Sequence, residues 1–348
     1  MFKPPRRLAL ALLAMILVCG AAFFFYSFPD PGKSQSSSDL IAESSVEQEP
    51  ITPIPLDLKL DARKVALGRR LFLDPHFSRD NRTSCAYCHS LATGGTDGLP
   101  HAGGVGGKPG RFFTQTVFNS GFSSMLFRDG RAATLEELID FPLPHSAGMD
   151  LTWPEVVAVL EQDEAYRDAF KDIYQDGIKP HSVKDAFATF ARSLTTPNSK
   201  FDRFLRGDKH ALDRSELAGY QLFKNLGCIS CHQGANVGGN MYEKLGLVEN
   251  YYAHRGNVQQ ADFGRYNLTG NEADRYEFRV PPLRNVALSA PYFHDASALT
   301  LDQAVATMAR YQLGADLSAD EISKIVKFLN TLTGINILTG SYQGEAGK

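Results

Sequence analysis

Two short stretches, "SCAYCHS" at residues 84–90 and "GCISCHQ" at residues 227–233, each carry a pair of cysteines three apart with a histidine directly behind the second. In an exported chain four cysteines suit disulfides, and two Cys-x-x-Cys pairs suit a tetrahedral zinc site. Neither accounts for His89 and His232, which follow their pairs at once. Covalent haem does. Thioethers from Cys85 and Cys88, and from Cys228 and Cys231, would fix the vinyl groups of two porphyrins, and the next residue would lie under each iron as an axial imidazole. The sequence therefore predicts two covalently bound haem c groups, and a fold built to enclose them.

The amino terminus supports an extracytoplasmic location for that chemistry. Lys3, Arg6 and Arg7 precede an uncharged apolar run from Leu8 to Phe28, long enough to cross a bilayer as a helix and longer than the core of a cleaved signal peptide. An uncleaved signal anchor over residues 1–28 is the expectation, with the basic flank in the cytoplasm and the rest in the periplasm, tethered to the inner membrane. Residues 29–55, rich in Ser, Pro and Glu, read as a disordered linker. A net charge of −3 from 36 basic and 39 acidic residues offers no basic surface for nucleic acid.

The remainder repeats itself. "GRRLFLDPHFSRDNRTSCAYCH" answers to "GYQLFKNLGCISCH", and "NSGFSSMLFRDGRAATLEE" from Asn119 aligns without a gap to "NVALSAPYFHDASALTLDQ" from Asn285. Each half then ends in a run with helical apolar spacing, "SVKDAFATFARSLTT" and "SADEISKIVKFLNTLTG". The fold class expected is mainly α: two cytochrome c-like haem domains in tandem, residues 56–205 and 206–340, behind the anchor and linker. The halves differ at one informative place. Seven residues past Leu301 lies Met308, in a helical run, whereas seven past Leu135 lies Pro142. A thioether can close the sixth position of an iron and a proline cannot. The second haem is thus expected to be a saturated, high-potential store of electrons, and the first to be reactive.

These residues resemble the bacterial di-haem cytochrome c peroxidase family, including its MauG-like enzymes. The likeness runs from about Leu56 to Leu338 through "LFLDPHFSRDNRTSCAYCH", "GGTDGLP", "TVFNSGF", "DGRAATLEE", "FDRFLRGD", "LFKNLGCISCH", "PPLRNVALSAPYFHDAS" and "AVATMARYQLG". The resemblance implies reduction of hydrogen peroxide at the N-terminal haem, with electrons delivered through the C-terminal haem by a small periplasmic cytochrome c or cupredoxin. It implies His89 and His232 as proximal ligands and Met308 as the distal ligand of the second haem. Family members are often dimers, so a homodimer is an expectation too.

The departures fall where the chemistry should be. The distal histidine that many members carry sixteen residues after the proximal one is Val105 here, with His101 in the same glycine-rich loop as a substitute ligand. The family's distal glutamine and glutamate are replaced by Leu138 and Gly148, and its tryptophan before "DGR" by Arg128. Phe113 stands in place of the asparagine that helps hold calcium, which argues against that ion. Breaking peroxide requires a group that moves a proton between the two oxygens. The local polar candidates are His145, Arg128 and Glu137, His145 for its near-neutral titration and Arg128 for stabilising charge on the leaving oxygen. Glu136 and Glu137 also suit the start of a helix, Trp153 suits packing behind a capping box, and His294 suits either a relay near the second haem or a satisfied place in the core. The expected function is a di-haem peroxidase. The alternatives are a MauG-like oxidase acting slowly on a protein or other substrate, and a di-haem electron-transfer protein without peroxide turnover.

Overall fold

Each half of the chain is organised around a crossing of two helices that a glycine makes close. Helix Ala62–Leu73 packs on helix Pro180–Ser193, and Arg214–Asn225 packs on Ala319–Asn330. A Cβ on Gly68 would lie 2.1 Å from the Ala186 carbonyl oxygen, and one on Gly219 would lie 1.9 Å from that of Lys324. Both glycines stand three residues before a Leu-Phe or Leu-Phe-like pair, Leu71–Phe72 and Leu222–Phe223, so the repeat read in sequence is a repeat of helix crossings. Asp61 and Asp213 cap the first helix of each pair by accepting backbone amides.

The computed structural model describes residues 49–99, 103–108, 113–336 and 341–342, which belong to one unit starting at Glu49. Helices dominate, with a short antiparallel ribbon joining Tyr242–Lys244 to Glu277–Arg279. Leu71, Phe170, Leu160 and Val183 are the centre of the first core. The second is built on Phe201, Tyr220, Phe223 and Phe328, whose rings pack at centroid distances of 4.7–5.2 Å for the pairs Phe201–Tyr220, Tyr220–Phe328, Phe201–Phe328 and Phe223–Phe328.

The internal alignment is carried by backbone geometry as well as by side chains. Asn119 and Asn285 both adopt left-handed conformations, φ 60° and 59°, and so do Phe127 and Phe293, at 63° and 67°. Single β-bridges close the same loop in each half, Leu126 with Ala132 and Tyr292 with Ala298. The two asparagines meet: the Nδ2 groups of Asn119 and Asn285 donate to one buried hydroxyl, Thr196 Oγ1, at 2.8 and 2.9 Å. The halves are therefore joined through a buried polar knot. A buried hydroxyl left without those donors would be costly.

The linker expected over residues 29–55 ends earlier than its composition implies. Ile51 and Ile54 are fully buried, the amide of Ile54 donates to Asp202, and Tyr220 and Lys224 both bond Glu49. Beneath this strap Arg284 pairs with Asp202 at 2.8 Å, both side chains wholly buried, and also donates to the carbonyls of Ala235 and Thr52. Two isoleucines and the contacts of Glu49 dock an otherwise polar stretch. The anchor expected over residues 1–28 lies outside the described residues, among which no helix is long and apolar enough to cross a membrane.

Candidate functional site

The two Cys-x-x-Cys-His stretches fold alike. Cys85–Cys88 is one helical turn from which the His89 amide donates to the Cys85 carbonyl at 2.9 Å; at Cys228–Ser230 a tighter turn lets the His232 amide donate to the Cys228 carbonyl at 3.0 Å. Residues three apart on such a turn share a face, so each pair of sulfurs can serve one porphyrin. The turn before Cys85 is fixed by Asp80, whose carboxylate accepts the amides of Arg82, Thr83 and, from the glycine-rich loop, Gly106. The Arg82 amide bond leads the causes that hold that carboxyl well below the usual range.

None of the four cysteines is in a disulfide. Burial pushes the thiols up, Cys85 to about 12 and Cys88 and Cys228 to about 11. Among the described residues one group of three or more His, Cys, Asp or Glu side chains lies close enough to share a metal: Asp262, His294 and Asp295. It contains no cysteine, and both of its aspartates pair with Arg255. The zinc alternative has no geometry to support it.

The imidazoles are set for ligation. His89 Nδ1 lies 3.3 Å from the Gly95 carbonyl, which can only accept, so Nδ1 carries the proton and Nε2 keeps its lone pair. Burial pushes His89 below its ordinary value and His232 down to about 4, keeping both rings neutral. His232 Nδ1 is buried without a hydrogen-bond partner among the described residues.

A cavity of about 290 Å³ opens beside His232, lined by Cys228, Cys231, Leu283, Tyr292 and Val305, and it includes Met308. Helix Leu301–Leu313 brings Met308 there because Thr300 and Gln303 form a capping box that starts it and Gly314, in the left-handed region, stops it. The corresponding helix in the first half, Leu135–Leu138, is a single turn and ends before Pro142. Two cysteines, an imidazole, a methionine and apolar walls are a lining that would fit a haem.

Of the three catalytic candidates, the structure gathers none into a common pocket. Glu137 is exposed and closes its own helix start: its Oε2 accepts the Ala133 amide at 2.9 Å while its amide donates to Thr134 Oγ1. His145 is exposed, and its Nδ1 accepts the Ala147 amide at 3.1 Å. Arg128 lines the second cavity, its guanidinium stacked 4.0 Å over the Phe113 ring. The three candidates therefore stand apart from one another. Gly148 is enclosed by backbone, with Pro142 O where a Cβ would be, and Leu138 packs with Leu126, Ala132 and Leu135. Val105 is buried in a turn against Gly148. His101 lies outside the described residues.

A family model described as di-haem cytochrome c peroxidase matches residues 62–210. Cytochrome c551 peroxidase of Nitrosomonas europaea is 43% identical over 82% of this chain and 84% of that protein. The chain belongs to the di-haem cytochrome c peroxidase family. Cytochrome c peroxidase Ccp of Escherichia coli K12 is 45% identical over 82% of this chain, which spans 62% of that protein's length. A solved MauG-like protein associated with microbial copper homeostasis superposes with a TM-score of 0.69 at 26% identity, over 82% of this chain and 93% of the other. Family membership makes the chain an oxidoreductase that carries haem.

Within that family frame Trp153 is a packing residue, its Nε1 donating to Asp140 at 2.8 Å beside the Thr152–Glu155 box. His294 is buried, bonded to Asp262 at 2.6 Å and stacked on Phe278, and forms part of the second cavity's wall. Sequence reasoning passed over Arg279, which the Tyr242–Lys244 ribbon delivers to the same wall. A lone arginine ahead of "VPPL" was the available signal.

Proposed function

We propose that this protein reduces hydrogen peroxide to water with electrons from a small cytochrome c or copper protein, using two haem c groups attached through Cys85 and Cys88 and through Cys228 and Cys231. The carrying observation is the asymmetry of the halves: Met308 shares a cavity with His232, whereas the matching segment of the first half ends at Leu138 and Pro142. When bound, the haem over His89 supplies the iron at which peroxide takes up two electrons and two protons, giving two waters. His89 would hold that iron, its Nδ1 proton engaged by the Gly95 carbonyl. His232 and Met308 close the second site, which suits it to electron storage. The backbone of Gln115 hydrogen-bonds His89 while the segment Phe113–Thr116 lines the second cavity, so one short segment borders both sites. The protein is assigned to the periplasm, tethered through residues 1–28, as the basic flank and apolar run suggest. Phe113 offers no side-chain oxygen, which argues against calcium; backbone oxygens near Ser289 and Pro291 are the ligands left for one.

A second reading, a slow MauG-like oxidase, draws on a separate observation: Leu138 and Gly148 supply no acid or base, and His145 and Glu137 are turned to solvent. Stopped-flow mixing of the purified di-haem protein with peroxide separates the two. Rapid oxidation of two ferrocytochromes per peroxide supports the peroxidase; a persistent oxidised state that donor does not discharge supports the oxidase. No peroxide consumption, before or after partial reduction, contradicts both.

A further inference from the structure

Two guanidiniums, Arg128 and Arg279, line the cavity beside His232 and Met308. Neither has a carboxylate within ion-pair distance among the described residues. Arg279 is largely satisfied by backbone and hydroxyl oxygens, donating to Phe127 O at 2.8 Å and approaching Ser123 Oγ at 3.5 Å. Arg128 is not: its Nε is buried with no partner, and its guanidinium rests on the Phe113 ring. Burial, together with repulsion from Arg279, pushes Arg128 down to about 9, still charged at neutral pH.

The neighbouring acids are already taken. Asp262 and Asp295 both pair with Arg255, and Asp262 also accepts from His294. Glu243 and Lys244 add one charge of each sign to the lining. Three guanidiniums thus face two aspartates, leaving an excess positive charge in an apolar enclosure. Burying such a charge unpaired is expensive, and removing the cost requires an anion.

We infer that Arg128, with Arg279 beside it, is an anion site for a carboxylate of the haem held by Cys228, Cys231 and His232, and that its charge raises that haem's reduction potential. The inference rests on the haem reading above. The chemistry is direct: a porphyrin of this type carries carboxylates, and a fixed cation nearby favours the form of the iron with one more electron. Arg128 is then a positioning and potential-setting residue, which explains why a charged side chain occupies the boundary between the halves.

The test uses the full holoprotein and the variants Arg128→Gln and Arg128→Lys. Pyridine haemochrome counts haem first; wild type without covalent haem would defeat the site reading itself, separately from this inference. Potentiometric titration of the low-spin haem should then show the reduction equilibrium of R128Q falling about tenfold, about 59 mV for a one-electron couple. R128K, which keeps the charge, should stay within about threefold of wild type, and the haem carboxylate bending bands in resonance Raman should move in R128Q. The inference is overturned if R128Q binds two haems at an unchanged potential, if R128K shifts as far as R128Q, or if both variants lose haem equally. It is overturned too if the wild-type potential follows phosphate or chloride concentration, which would mean solvent anions take the site.

Discussion

Gly148 decides whether a distal carboxylate could simply be put back. A Cβ there would lie 2.1 Å from Pro142 O and 3.2 Å from His145 O, and both oxygens belong to the loop that Gly148 itself helps close. Met149 N donates to Pro142 O at 2.9 Å, Gly148 N to His145 O at 2.7 Å, and Val105 N to Gly148 O at 3.4 Å. Admitting any side chain opens two or three of these bonds at about 1 kcal/mol each, a loss of about 2–3 kcal/mol. Met149 and Leu143, both buried, must shift with them. The cost belongs to Cβ, so Gly148→Ala and Gly148→Glu should fall together, by about 3–5 °C in thermal midpoint. Far-ultraviolet circular dichroism of the holoproteins measures this. An alanine variant as stable as wild type, or a glutamate variant that is stable and turns over faster, would refute the packing argument.

Arg284→Ala should destabilise by about 3–5 kcal/mol, because it strands the buried Asp202 charge and frees the Thr52 carbonyl; the surface pair control Lys324→Ala should cost no more than about 0.5 kcal/mol. Urea titration compares them. Glu137→Ala should lose about 1 kcal/mol with its helix start, and His145→Ala should leave peroxide turnover unchanged in steady-state assays, since both side chains serve local backbone amides. Burial opposes ionisation of Asp262, but hydrogen bonds led by Arg255 win and hold it at about 2. Its folded value lies below the unfolded one near 3.8, so its contribution of about 2 kcal/mol is complete above pH 4 and lost as pH falls toward 2. Asp262→Asn should flatten the stability profile over that window.

The helical repeat was legible because its signals are local: Gly68 and Gly219 keep their spacing to the aromatic that follows, and Asn119 and Asn285 hold the same left-handed turn. The haem turns were legible for the same reason, each lying within five residues. Met308 emerged from comparing the halves, which converts a long-range relation into a register. The surroundings of the candidate residues were not legible, for a common cause. Glu137 and His145 are polar groups near a motif, and sequence proximity does not say which way a side chain faces; local amides claimed both. Arg128 was near the right chemistry but sits in the wall of the other cavity, because the loop after Phe127 leans on Arg279, whose amide donates to the Arg128 carbonyl at 2.7 Å. The docked strap at Glu49–Pro55 was hidden by composition averaged over a longer polar stretch.

The central claim is that one iron is capped by Met308 and the other is open. Low-temperature electron paramagnetic resonance of the ferric protein, beside Met308→Ala, tests it most directly. The account predicts one low-spin and one high-spin haem in wild type, with the low-spin signal lost in the variant. Two low-spin haems, both unchanged by the substitution, would contradict it.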